Sequence, residues 1–106
     1  MMTMRRAAVV QYQTLAHSAE QNRSLIEDVV IELGLRDPGG LDYQVFQLED
    51  GVGFLHVAVF DGTSEPFADC DAYRMFHRDL QQRLARPPTI SRAVLIGSYF
   101  GSTCDG

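Results

Sequence analysis

Thiols, basic charge and long apolar runs are all scarce in this chain of 106 residues. Its two cysteines, Cys70 and Cys104, form no CxxC pair, which excludes a disulfide framework and a dithiol redox motif. The expected setting is cytoplasmic, with two unrelated thiols. Net charge is −5, and no basic run extends beyond Arg5-Arg6, so the basic footprint of a nucleic-acid or anionic-membrane partner is absent. The apolar run Ala7-Ala8-Val9-Val10 stops at Gln11, too soon for a signal-peptide core or a membrane span. The three histidines, His17, His56 and His77, stand far apart with no H-x-x-x-H spacing, so no metal site is expected. No glycine-rich loop joins a strand to a helix, and no G-x-S-x-G elbow exists, which leaves no nucleotide cradle and no serine nucleophile.

What is present is an ordinary globular composition, 45% apolar and 22% charged, in a length that suits one modest core. A first strand is expected over about Met4 to Thr14. Ser18, Glu20 and Gln21 resemble a helix opening with a capping box, and that helix should run to about Leu33 and stop at Gly34. Two strand-like runs, Leu41 to Leu48 and Val52 to Phe60, are joined by Glu49-Asp50-Gly51, a strong hairpin signal. Asp61 to Pro66 reads as a loop. A second helix is expected from roughly Asp71 to Arg86, ended by Pro87-Pro88, before a last strand over about Ile90 to Phe100. Residues 1–106 are thus expected to form a single domain, with 101–106 a flexible tail.

The order β-α-β-β-α-β predicts an α+β, ferredoxin-like sandwich: a four-stranded antiparallel sheet with two helices on one face. The third strand is apolar on both faces, with Phe54, Ala58 and Phe60 on one and Leu55, Val57 and Val59 on the other. Two short helices cover only one face, so a second copy of the chain is expected on the other, as a twofold dimer.

Helical phase at about 100° per residue picks out the polar side chains that share an apolar stripe. In the first helix the stripe is Ala19, Ile26, Val29, Val30 and Leu33, with Asn22 inside it and Glu27, Asp28 and Glu32 pointing away. In the second it is Tyr73, Phe76, Leu80 and Leu84, with His77 inside it. Tyr12, Tyr43, His56 and Tyr99 are the polar strand candidates. Period-two reasoning does not fix which sheet face His56 takes, because both faces are apolar. Each candidate also has a plain structural reading: a hydrogen-bonded core asparagine or histidine, a half-exposed His77, or a tyrosine packed with its hydroxyl at the rim.

The helix opening Ser18-Ala19-Glu20-Gln21-Asn22, the hairpin Phe46-Gln47-Leu48-Glu49-Asp50-Gly51 into Phe54-Leu55-His56-Val57, the segment Ala72-Tyr73-Arg74-Met75-Phe76 and the closing Leu95-Ile96-Gly97-Ser98-Tyr99 resemble the antibiotic-biosynthesis-monooxygenase-like branch of the dimeric α+β barrel proteins. The resemblance covers about Arg6 to Gly101. It implies a homodimer with a pocket between sheet and helices in each subunit. It also implies a monooxygenase reaction on an apolar aromatic substrate, a phenol, quinol or polyketide, without cofactor or metal. The resemblance would make His77 or His56 the catalytic base, while Asn22 and Tyr73 orient and stabilise the substrate anion. Two alternatives stand beside it: a non-catalytic ligand-binding or accessory dimer of the same fold, and a haem-binding protein with His77 as axial ligand. Relatives that cleave haem use a tryptophan, and this chain has none.

Overall fold

A computed structural model describes residues 5–61, 67–99 and 101. Strand β1 (Arg6–Gln13) leads through a 3-10 turn at Ala16–Ser18 into helix α1 (Ala19–Arg36). The hairpin β2 (Leu41–Gln47) and β3 (Gly53–Phe60) follows, then α2 (Asp71–Arg78), the single turn α3 (Leu80–Arg83) and β4 (Thr89–Val94). The sheet order is β2-β3-β1-β4, antiparallel throughout. This is the expected four-stranded α+β arrangement. The expected loop residues Gly62 to Pro66, with Met4, Phe100 and the tail beyond Gly101, lie outside the described residues.

Register sorts the strands into two faces, because directly paired residues share a side. Tyr12 pairs with Phe54, Val10 with His56, and Ala8 with Ala58. On β3's other edge, His56 pairs with Val45 and Ala58 with Tyr43. These rows pack under the helices with Ile26, Val29 and Phe76. The opposite face carries Val9, Val57, Leu55, Val59 and Phe46. Among the described residues no helix covers it, and Phe46 is 48% exposed.

The hairpin turn has a local cause. Gly51 takes a left-handed φ of 79°, open to glycine at little cost. The Asp50 carboxylate accepts from the backbone N–H groups of Val52 and Gly53 at 3.0 and 2.8 Å. The Leu48 N–H closes the loop onto the Gly53 carbonyl at 2.8 Å.

Several boundaries depart from expectation for identifiable reasons. Ser18 makes no side-chain cap: its φ of −104° and ψ of −6° are near-helical, whereas a capping serine needs an extended backbone. Helix α1 runs through Gly34 and ends at Asp37, which is left-handed and donates its N–H to the Leu33 carbonyl at 2.8 Å. Glu32, expected on a solvated face, instead caps α2. Its carboxylate accepts from the N–H groups of Asp71 and Ala72, both at 2.9 Å, and from Arg36 Nε at 2.7 Å. Those bonds hold the Glu32 pKa below the usual carboxylate value, the Ala72 N–H first.

The second helix is not continuous to Arg86. Asp79 (φ −121°, ψ 25°) breaks it, and it stops at Arg83, before the prolines act. Backbone pairing ends it: the Leu15 N–H donates to the Arg83 carbonyl and the Ala85 N–H to the Gln13 carbonyl, both at 2.8 Å. The last strand is shorter than expected. Ile96 and Tyr99 lie beyond it, 94% and 90% exposed, so Tyr99 is not an interior residue. No helix among the described residues is long and apolar enough to cross a membrane.

Candidate functional site

The sheet period resolves the open question about His56. Because Phe54 faces the helices, His56 two residues on does too, and its pairing with Val10 sets its ring beneath α2. There it is buried and held from both sides. Its Nε2 lies 2.7 Å from the Tyr12 hydroxyl, and its Nδ1 lies 2.7 Å from the Tyr43 hydroxyl. Phe76 of α2 closes the layer, its centroid 5.4 Å from the imidazole.

The chain of hydrogen bonds continues away from the sheet. Asn22, fully buried on α1, donates from Nδ2 to the Tyr12 hydroxyl at 2.9 Å. Its Oδ1 accepts from Arg83 Nε at 3.0 Å. Arg83 Nη2 donates to the Phe76 carbonyl at 2.7 Å, and the guanidinium carbon sits 5.2 Å from the Phe76 ring centre. Five side chains from β1, β2, β3, α1 and α3 thus form one line, buried from Arg83 through Asn22 and Tyr12 to His56 and partly buried at Tyr43.

Sequence reasoning placed Asn22, Tyr12, His56 and Tyr43 near the interior but missed Arg83. A signal existed. Phe76, Leu80 and Arg83 are spaced i, i+4, i+7, so Arg83 falls on the same stripe. An arginine there reads as a snorkelling surface residue unless the helix end is known to turn inward. No carboxylate makes an ion pair with it among the described residues. Its charge is held by one amide oxygen, one carbonyl and one aromatic face, with the Asp79 carboxylate acting from beyond ion-pair distance.

Burial sets the protonation states. Desolvation drives His56 down to about 4, with the neighbouring His77 adding to the effect, so the imidazole is neutral at neutral pH. Desolvation pushes Tyr12 up to about 12 against the opposing pull of Asn22 and Arg83, and raises Tyr43 as well. Both stay phenols. Arg83 is lowered by desolvation yet remains a cation, as guanidinium groups do in proteins.

Tyr73 and His77 stand apart from this line. Tyr73 stacks on Phe67 at 4.2 Å and meets the His77 ring edge-on at 4.5 Å. Phe67 in turn meets Tyr43 at 5.2 Å, so an aromatic wall runs from the surface to the buried imidazole. His77 is exposed and makes no hydrogen bond among the described residues. Its pKa is lowered, by desolvation first and then by the Arg83 charge. Its ring nitrogens are therefore free and the base is mostly neutral at neutral pH.

Two clefts flank the layer. One of about 600 Å³ opens between α1 and the hairpin, walled by Ile26, Val30, Val45 and Phe54 with Arg23 and Gln47 among its polar lining. Phe54 links it to the line, stacking on Tyr12 at 5.6 Å. Another of about 220 Å³ has Tyr43, Val30, Leu33 and Leu41 in its wall. Cys70 is buried at the start of α2, and Cys104 lies outside the described residues. Among the described residues no group of three or more histidines, cysteines or carboxylates could hold a metal ion.

No family model matches the chain, and no curated protein matches it. Solved structures do. A putative antibiotic biosynthesis monooxygenase from Caulobacter crescentus superposes with a TM-score of 0.74 at 10% identity, over 90% of this chain and 92% of that one. Another so described, from Nitrosomonas europaea, gives 0.72 at 12% identity, over 91% and 94%. A dimeric ferredoxin-like protein from an uncultured marine organism gives 0.63 at 13% identity, over 95% of each chain. The fold is therefore the ferredoxin-like α+β arrangement those structures share; at these identities the likeness shows fold alone.

Proposed function

We propose that the chain is a homodimeric, cofactor-independent oxygenase that binds an apolar aromatic phenol or quinol as its anion. The observation that carries this reading is the buried Arg83 cation with no carboxylate partner among the described residues, joined through Asn22 and Tyr12 to a neutral imidazole. A desolvated positive charge whose direct contacts are neutral, with the Asp79 carboxylate acting on it from beyond ion-pair distance, favours a bound anion. A phenolate in such a site is electron-rich enough to reduce oxygen itself: the substrate loses its O–H and one ring C–H hydrogen in a four-electron oxidation to the quinone, one oxygen atom enters as the new carbonyl, and the other leaves as water with those two hydrogens.

His77 is the proposed base. Its ring nitrogens make no hydrogen bond among the described residues and its pKa is lowered, whereas both nitrogens of His56 are engaged by tyrosines. Tyr73, packed on the His77 ring, is proposed to orient the substrate, while Asn22 and His56 steady the charge. The uncovered apolar sheet face supports a twofold dimer, and the names of the structural neighbours agree with both parts of the reading. The test is oxygen uptake by chelator-treated protein with a panel of hydroquinones and anthrone-like phenols. Substrate-dependent uptake that falls in His77→Ala is expected; none across the panel overturns the proposal.

One observation favours a second reading, a ligand-binding dimer without chemistry. Tyr12, Asn22, His56 and Phe76 fill the layer, and no buried side-chain polar atom among the described residues lacks a partner. On that reading, alanine replacements of His56, Asn22, Tyr73 and His77 alter stability and leave no turnover to lose.

A further inference from the structure

The buried line has a direction, and it is set at its Arg83 end. A guanidinium only donates, so the Asn22 atom facing Arg83 Nε must be the carbonyl oxygen. The amide NH₂ therefore points at Tyr12 and donates to its hydroxyl oxygen. Tyr12 has one proton left to place, and His56 Nε2 is its remaining partner. If Tyr12 donates there, Nε2 is the bare nitrogen and Nδ1 carries the hydrogen, which goes to the Tyr43 oxygen. The Tyr43 proton is then unspent.

The opposite polarity is also countable. Nε2–H would donate to Tyr12, Tyr43 would donate to Nδ1, and the unspent proton would be that of Tyr12. Tyr12 is 5% exposed, and its hydroxyl has no third partner among the described residues. Stranding a donor there costs a desolvation penalty. Tyr43 is only partly buried and forms part of the wall of the 220 Å³ cleft, so an unspent proton is less costly on its side of the imidazole than on Tyr12.

We propose that Arg83 and Asn22 are positioning residues that hold His56 as its Nδ1–H tautomer, so that the Tyr43 hydroxyl is the donor of this site, taking a phenolate or carbonyl oxygen of the ligand. The tautomer rests on the hydrogen-bond geometry together with the deeper burial of Tyr12. The ligand class rests on the function proposed above and adds to it a contact at Tyr43.

Long-range proton–nitrogen correlation spectra of ¹⁵N-histidine protein read the tautomer directly, with His56→Gln assigning the signals. The wild type should show His56 protonated at Nδ1. The Asn22→Asp variant should reverse it: a carboxylate there can only accept, so Tyr12 turns its proton to it and His56 donates from Nε2. An Nε2–H wild type overturns the proposal, as does a folded Asn22→Asp variant that keeps Nδ1–H. If that variant fails to fold, the wild-type spectrum still decides. For the ligand half, titration with 4-nitrophenolate should show about tenfold or weaker affinity in Tyr43→Phe than in the wild type. Equal affinities, or no saturable binding to the wild type, overturn that half. A silent oxygen-uptake panel alongside the expected tautomers would remove the oxygenase reading and leave the polarity standing.

Discussion

Acid should unfold this protein through His56, in a pH window fixed by its burial. The imidazole is 7% exposed, and its pKa falls from 6.5 in the unfolded chain to about 4 in the folded one. As pH drops through 6.5 the unfolded state takes a proton that the native state refuses, so unfolding is favoured. The loss accumulates down to about pH 4, where the native imidazole also protonates and the slope from this group ends. The gap of 6.5 − 4, at about 1.4 kcal/mol per pH unit, is worth about 3 kcal/mol. That is a large share of the ~5–15 kcal/mol typical of a domain. Urea unfolding at fixed protein concentration, from pH 7.5 to 4, should show it in the wild type. His56→Gln is the control, because an amide can accept from Tyr12 and donate to Tyr43 but does not titrate. Asp50 and Glu32, whose carboxylates accept backbone N–H groups, weaken both proteins as pH falls, so they cancel in the comparison. A wild type that loses about 3 kcal/mol more than the variant supports the reading. Parallel curves, or a His56 resonance titrating near 6.5, refute it.

Other consequences are as direct. Phe54, 1% exposed between Tyr12 and the helices, should lose about 3–5 kcal/mol on Phe54→Ala in denaturant unfolding. Gly51→Ala has open space around its Cβ but must hold a φ of 79°, so it should cost about 1–2 kcal/mol, with the expressed protein still folded by circular dichroism. Glu32→Ala removes the acceptor of two α2 N–H groups and should raise amide exchange at Asp71 and Ala72 ahead of the rest of α2. Light scattering should return about twice the 11.8 kDa chain mass, falling toward one chain in Val57→Arg on the open sheet face; a wild-type mass near 11.8 kDa refutes the covered-face argument.

The order of elements, the hairpin and the layer are legible in the amino-acid sequence. Each rests on local rules that a chain displays one residue at a time: Asp50-Gly51 between apolar runs, the nearly unbroken apolar run from Val52 to Phe60, and period 3.6 through Asn22, Ile26 and Val29. The same periodicity brought Asn22 and His56 into view as interior polar groups. Tertiary structure alone decided what depends on a distant partner. It ended the second helix at Arg83 by pairing residues 83–85 with 13–15, and so turned a cation into the layer. It turned Glu32 from a solvated side chain into the cap of another helix. It chose the helix-facing side for His56, where two tyrosines from different strands reach it. A hydrogen bond between residues 61 positions apart, as between Arg83 and Asn22, leaves no periodic trace in the sequence, because periodicity reports which face a residue takes and not what it meets there.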